Sequence, residues 1–451
     1  MPDVSPKSSL SEDQIFESEI GFQQALTGVY SQLAQRGLYG DNLSMGFVSA
    51  LAQNYAVSAT GAPLVRTRLL DYASSEVIGH TNNTWSTAYT AIAGANKVII
   101  NTARKRAVLT DKSYAMIRGE ALAIRALLHF DLYRVFGPEY SAGMNSKAIP
   151  YKTLADQYSK VPSTSKELVD SVLNDLNQAA ALLKGVDPVI TGSTNRNIKM
   201  NYYAVKGLEA RVRITIGDKT GAAAAAKEVV DAGKFPFVIP AMASATAGSR
   251  DRIYKSELLF GARVRTVKDW AENQYFRFFG NTSMRLTRTA ANFATLYETS
   301  AGGSSDFRFA YRIEQDGGAP FPSKFWQTFT PISGAPDSVR LDQLVPVIRL
   351  SEMYYILAEA AATPAEGAAF LNVVRKNRGL AELPVTTITQ TVFNNELTKE
   401  YQKEFYAEGQ LFFYYKRKKV VRMQFMTADI ALSKYVLPIP DAELEYNPTY
   451  N

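Results

Sequence analysis

Acid–base, nucleophilic and metal chemistry draw on His, Cys, Asp and Glu at workable spacing, and this 451-residue chain offers little of it. It has two histidines and no cysteine, which excludes disulfides, thiolate metal sites and a cysteine nucleophile. His129 lies in the apolar run Leu127–Phe136, where a packed core histidine is the expectation. His80 falls in a stretch that reads as loop, with no metal-ligand partner at useful spacing. No His-Glu-x-x-His, Gly-x-Ser-x-Gly or phosphate-cradling glycine loop occurs. Paired carboxylates for glycoside hydrolysis meet in space rather than in sequence. Glu400, Glu404 and Glu408 recur every four residues, but a regular exposed helix face accounts for them. The expectation is a chain with no catalytic residue, no metal and no cofactor.

Rings are the remaining material: three Trp, 25 Tyr and 23 Phe. Most belong to the core, and Trp85 sits at helical spacing among core positions. Trp270, Tyr275, Trp326 and Tyr72 lie instead in glycine- and proline-rich chain. They are the candidates for stacking on the apolar faces of a sugar, with nearby amides and charges bonding its hydroxyls. Net charge is +7, but the basic residues are scattered, and the densest run, Lys416–Lys419, closes a helix, where cations complement the dipole. Nucleic acid is therefore not the expected partner. No apolar run approaches the length of a transmembrane helix.

The elements that must position these rings read as helices in pairs. Ser11 and Gln14 cap a first helix to Gln35; Trp85, Tyr89, Ile92, Asn96 and Ile99 mark a second; Met116 to Phe136 is a third, ended by Gly137-Pro138. Thr164 and Glu167 box the next, and the segments Asn201 to Ile216 and Gly221 to Asp231 form a close pair. Val345 to Ala362 reads as one helix, with Val347, Leu350, Tyr354, Leu357 and Ala361 facing the core and Arg349, Glu352 and Glu359 on a solvated face. Thr363, Pro364 and Glu366 start its partner, which should stop at Gly379, and a further helix spans Phe393 to Lys418. The fold class expected is all-α, stacked αα-hairpins with long irregular insertions, in a single domain over 1–451. Its helical scaffold covers about 11–36, 84–136, 163–232 and 346–420, with loop-rich regions at about 37–83 and 235–344. No clean 34-residue repeat is visible.

Arg-Leu-Ser-Glu-Met-Tyr-Tyr-Ile-Leu-Ala-Glu-Ala from Arg349 closely resembles the signature helix of the SusD/RagB family. Further stretches resemble the same family in order: Ala25 to Tyr30, the Trp85, Tyr89 and Asn96 helix, Gly119 to Gly137, Ala148 to Tyr151, Gly207 to Arg213, Asp306 to Arg308, Lys324-Phe325, Glu400 to Gly409 and Tyr435 to Pro448. One departure stands out: where the family's usual text has Arg, Arg and Asp around the Glu400 helix, this chain has Tyr401, Leu411 and Tyr414. Some ion pairing is therefore expected to be lost, as in a divergent branch.

The resemblance implies a tetratricopeptide-like, SusD-like fold and a non-catalytic surface lipoprotein of the outer membrane. Such a protein captures oligosaccharide, or peptide on the RagB side of the family, and delivers it to a SusC-like TonB-dependent transporter. It also implies a mature chain that follows a removed signal peptide and a lipid-bearing cysteine, because the polar start Met1–Ser9 has no apolar core of its own. The residues alone leave a second class open, a cytoplasmic tetratricopeptide-like adaptor that grips protein or peptide.

Overall fold

The computed structural model describes residues 12–56, 59, 61–192, 196–277, 281–326 and 341–450. The expected cap Ser11, the start Met1–Ser9 and the end of the aromatic stretch at 278–280 lie outside the described residues. Counting helices of eight residues or more, α1 is Glu19–Leu33, α2 Ser75–Arg104, α3 Asp111–Phe136 and α4 Ser165–Leu183. α5 is Tyr202–Thr215, α6 Lys219–Asp231, α7 Ala290–Tyr297 and α8 Leu350–Ala360. α9 is Pro364–Lys376, α10 Gln390–Glu404 and α11 Gln410–Arg417. Most start from a Ser, Thr, Asn or Asp whose side chain accepts an N–H of the first turn, which satisfies one of the orphaned donors there. The Thr164–Glu167 box is complete in both directions. At α9 the Thr363 hydroxyl accepts from Glu366, while the Glu366 carboxylate reaches back to Ala362 instead of Thr363.

From α1 to α6, each helix packs on the next; α6 then packs on α8 and α8 on α9, as stacked pairs require. Most of the apolar interior is one cluster from Phe16 to Leu437, with two small satellites around Tyr254 and Leu258. α3 is its centre, buried at nearly every position from Gly119 onward. Its C-terminal end is closed from far along the chain. Lys416 Nζ donates to the carbonyls of Arg134 at 2.7 Å and Gly137 at 2.6 Å, and the Leu437 N–H donates to Val135 O at 3.2 Å. Two small antiparallel pairs complete the fold: β1 (Leu258–Arg263) with β4 (Leu344–Arg349), and the hairpin β2 (Ile313–Asp316) with β3 (Ala319–Pro322) around Gly317-Gly318.

Three expectations are corrected. First, the loop-rich stretch 37–83 is irregular apart from two short helices as far as Ser74 among the described residues, but its first part is interior. Positions 37–55 are buried, and the polar side chains that suggested a loop bond inward, Ser49 Oγ to Ser44 O at 2.6 Å and Asn42 Nδ2 to Thr84 Oγ1 at 2.9 Å. α2 starts at Ser75, so His80 is helical. It lies face to face with Phe47 at 5.0 Å, and its Nδ1 is 2.9 Å from Asn42 Oδ1. Second, Val345 to Arg349 is strand rather than helix, because a residue before proline disfavours the helical region and Val and Ile suit the pleat. α8 is buried almost all round, with Tyr354 half-buried at its edge. Third, α10 and α11 are separate helices, divided at Phe405 to Gly409.

The charges read as solvated turn inward, Glu359 partly and the others into buried surroundings. Glu352 takes two hydrogen bonds of 2.6 Å from Arg211, and Glu359 is paired by Arg417. Glu400, Glu404 and Glu408 point into the centre. Glu404 accepts from Arg378 at 2.7 and 3.0 Å, from Arg308 at 3.0 Å and from Arg349. Glu400 accepts from Arg308 at 2.8 Å and Arg375 at 3.1 Å; Glu408 from Lys324 at 2.6 Å and Arg349 at 2.9 Å. Glu257 and Asp306 complete the cluster through Arg378 and Arg308. Although burial pushes the Glu400 carboxyl up, Arg308, Lys403 and Arg375 hold it down to about 2. Arg349 and Gly409 begin α8 and α11, the two among the eleven numbered helices with no side-chain cap, and both stand at this cluster. Where the family's text has ion pairing, Tyr401 and Tyr414 stack with centroids 4.0 Å apart at 18°, and the Tyr401 hydroxyl accepts from Arg417 at 3.2 Å.

Candidate functional site

A cavity of about 440 Å³ opens where α2 meets the extended chain Pro150–Lys160 and the short helix Asp441–Tyr446. Helical spacing on α2 turns Trp85, Tyr89 and Ile92 to one side, and they form the floor. Trp85 is nearly buried, edge-on to Phe136 at 5.0 Å and tilted against Tyr89 at 5.0 Å, so the floor is rigid. The rim carries Tyr158 and Tyr446, each 76% exposed, with Leu154 beside them at 58%.

The wall is irregular chain held from beneath by side chains of α2, α3 and α4. Asn96 Nδ2 donates to the carbonyls of Lys152 at 3.1 Å and Leu154 at 3.0 Å. Arg125 donates to Asn96 Oδ1 at 2.9 Å and spans both oxygens of Asp175 at 2.7 Å, a bidentate pair of fixed geometry. His129 Nδ1 bonds Arg125 O at 2.9 Å, so Nε2 is the acceptor for the Lys152 N–H at 3.0 Å. The imidazole stacks on Tyr151, centroids 4.0 Å apart. Tyr89 donates to Pro150 O at 2.8 Å, and Lys160 Nζ to Tyr151 O at 2.6 Å. Asn447 ties the short helix to Lys160 O at 2.9 Å.

Both ring nitrogens of His129 are used in the neutral form, and burial pushes its pKa from 6.5 down to about 3. Between those values an unfolded chain takes a proton at His129 that the folded chain refuses. This residue's contribution is therefore complete above pH 6.5 and is lost as pH falls toward about 3. Asp41, raised to about 6 by burial, works in the opposite direction, so a difference measurement is needed. The expected result is that wild type loses roughly 1.4 kcal/mol per pH unit relative to His129→Gln in that window. Urea titrations at several acidic pH values check this; parallel stability curves would contradict it.

The cavity's charges balance, Lys152 and Lys160 against Asp156 and Glu443, with Lys152 and Asp156 paired at 2.8 Å. The side chains of Gln157 and Ser159 bond to nothing in the protein among the described residues. Among those residues no three acidic or histidine side chains gather as a metal site needs, and no helix is long and apolar enough to cross a membrane. The arrangement can hold a flat, hydroxyl-bearing, uncharged molecule by ring faces and a few polar contacts.

None of the four rings singled out in the sequence lines this cavity. Trp270 and Tyr275 come together, edge-on at 5.5 Å. Tyr275 is 3% exposed and donates to Asp41 Oδ2 at 2.9 Å, and the Arg36 guanidinium lies 3.4 Å over the Trp270 ring. Trp326 is edge-on to Phe321 at 5.7 Å, with Arg277 at 5.1 Å and Arg252 at 5.4 Å. Tyr72 donates to Lys434 O, with the Lys434 ammonium 4.9 Å from its ring. Protein cations thus stand over three of the four. Tyr158 and Tyr446 were missed; the available signal was an aromatic among Gln, Ser, Lys, Glu and Asn neighbours, with no apolar claim on it.

Fold and cavity together define a helical scaffold that presents a solvent-open, ring-lined cavity. Residues 3–196 match a family described as SusD-like, starch-binding and associating with the outer membrane, and residues 323–429 match the SusD family. The chain belongs to the SusD/RagB family. A SusD-like protein of Formosa agariphila is 27% identical over 237 residues, 52% of this chain and 42% of that protein, so less than half of that relative's length is matched. Among solved structures, a SusD superfamily protein of Bacteroides thetaiotaomicron superposes with TM-score 0.74 at 20% identity over 96% of this chain and 98% of its own. A Bacteroides vulgatus protein described as a putative sugar binding protein gives 0.72 at 20% identity over 96% and 97%. A SusD-like carbohydrate binding protein of the same species gives 0.73 at 18% over 96% and 97%.

Proposed function

We propose that this protein is a non-catalytic cell-surface binding protein that captures a neutral oligosaccharide in the α2 cavity and hands it to a SusC-like TonB-dependent outer-membrane transporter. The observation that carries the reading is the cavity: a ring-lined floor, two exposed tyrosines on the rim, balanced charge and unbonded polar side chains. Family membership and the family's description as starch-binding support the ligand class. The transporter and the lipidated, surface-exposed state rest on family membership.

Calorimetric titration with maltooligosaccharides and other neutral glycans, with short peptides alongside, tests the ligand. A stacking ring contributes about 1–2 kcal/mol through the area it buries. Tyr158→Ala and Tyr446→Ala should each weaken binding about tenfold at unchanged stability, because both rings are exposed. Trp85→Ala should weaken it further and also destabilise the fold. Ala variants of Trp270, Tyr275, Trp326 and Tyr72 belong in the same panel as the rival site. Unchanged affinity in both rim variants, with loss in the loop variants, would move the site to the loops. Peptide binding in place of glycan binding would turn the reading to the RagB type. Recovery of a TonB-dependent transporter with the protein from native outer membranes tests the partner.

A further inference from the structure

A second and larger cavity, about 800 Å³, lies on another part of the scaffold, between the C-terminal half of α1 and the chain from Phe260 to Thr266. Its chemistry differs in kind. Four cations line it, Arg36, Lys199, Arg263 and Arg265, and no carboxylate does among the described residues. Like charges on one concave wall repel one another and raise the local potential for an anion. Arg36 is answered by Asp41 at 3.2 Å, and Arg263 reaches Gln343 Oε1 at 3.3 Å. Lys199 has no carboxylate within ion-pair distance among the described residues, and its ammonium rests 4.2 Å over the Tyr30 ring, half-buried. That ring is fixed from behind, its hydroxyl donating to Glu120 at 2.6 Å and accepting from the Met200 N–H at 2.8 Å. Arg265 is exposed and makes no ion pair among the described residues. Between these cations stand Thr27, Ser31, Gln35 and Thr266, which suit hydroxyls. The face of Tyr30 is taken by Lys199, so recognition here runs through charge and hydrogen bonds rather than stacking.

We infer that this groove binds an acidic saccharide, with Lys199 and Arg265 holding the carboxylate or sulfate oxygens that neutral sugars lack. The two sources share anionic oxygens at a fixed place on a hydroxyl-rich ring. Hydroxyls and an amide interleaved with the cations favour a sugar over a peptide.

Calorimetry with the whole protein separates the cases. The probes are tri-galacturonate against its methyl ester, a κ-carrageenan tetrasaccharide against its desulfated form, and a tri-glutamate peptide. The expected result is binding of at least one acidic saccharide about tenfold tighter than its neutral partner, weakening in high salt. The first pair reports a carboxylate and the second a sulfate. The double variant Lys199→Gln/Arg265→Gln should lose about tenfold for the acidic probe, keep the wild-type urea midpoint, and leave neutral-glycan binding at the α2 cavity unchanged. Failure of that cavity to bind neutral glycan would not touch this result, since the two sites share no residue. Equal binding of acid and neutral forms, an unchanged double variant, no binding of either acidic saccharide, or tighter binding of tri-glutamate would each overturn it.

Discussion

Replacing Glu404 with glutamine is expected to destabilise the protein by roughly 3–5 kcal/mol or more, the range for breaking a buried ion pair from one side. The carboxylate is fully buried and answers Arg378, Arg349 and Arg308 together. Burial pushes its pKa up, yet Arg378 and Arg349 hold it well below the usual range, so the native state is built around the anion. A neutral amide would leave three guanidinium groups short of one charge in a place water does not reach. The measurement is the urea midpoint at unchanged slope. Asp170→Asn is the control: its partner Lys166 and Asp170 itself are more than half exposed, and the cost should stay under about 0.5 kcal/mol. Equal effects from the two substitutions would show that the central cluster contributes no more to stability than an exposed pair does.

Gly409→Ala is the second large effect. Gly409 has φ of +74°, where an L side chain costs about 1–2 kcal/mol. A Cβ there would also stand 2.4 Å from the carbonyl oxygen of Leu43, a backbone atom in the buried 37–55 segment that has no room to yield. Overpacking adds roughly 1–3 kcal/mol, so a loss of about 3 kcal/mol or more is expected, visible in the same denaturant titration. Gly79 is the counterpart: it lies inside α2 on an exposed face, with nothing within 4 Å of a new Cβ. Gly79→Ala should therefore stabilise by roughly 0.5–1 kcal/mol. The two glycines look alike in sequence and should move stability in opposite directions.

Helices were legible because their starts are chemical. Thr164 with Glu167, Thr363 with Pro364, and Asn201 announce themselves whatever packs on them. Charges were not, because periodicity places Glu400, Glu404 and Glu408 on one face without saying what that face meets. Their partners include Arg308 and Lys324, 84 to 96 residues away in sequence, as well as the nearer Arg349, Arg375 and Arg378. The short family marks Asp306 to Arg308 and Lys324-Phe325 are therefore interior ion-pair residues, and so is Arg211 of the Gly207 stretch. The motifs that betray the family thus describe how the scaffold closes, and say little about cargo. Pro346 was a strand signal inside a supposed helix and could have been read. The cavity was half legible: Trp85, Tyr89 and Asn96 were grouped on one helix, but that Asn96 and His129 suspend a wall carrying Tyr158 needs the third dimension.

The far end of α3 has a consequence for how the chain is made. Arg134 and Gly137 present carbonyls that Lys416 satisfies, 282 and 279 residues later, and Val135 waits for Leu437. At about 5–20 residues per second on the ribosome, that interval is roughly fifteen seconds to a minute. Through all of it the most extensively buried helix lacks the partners of its last carbonyls. The chain's native state is reached by closing long loops late, which slows folding and lengthens the exposure of sticky intermediates. The native hydrogen bonding at this end of α3 is therefore completed only after Leu437 has been made.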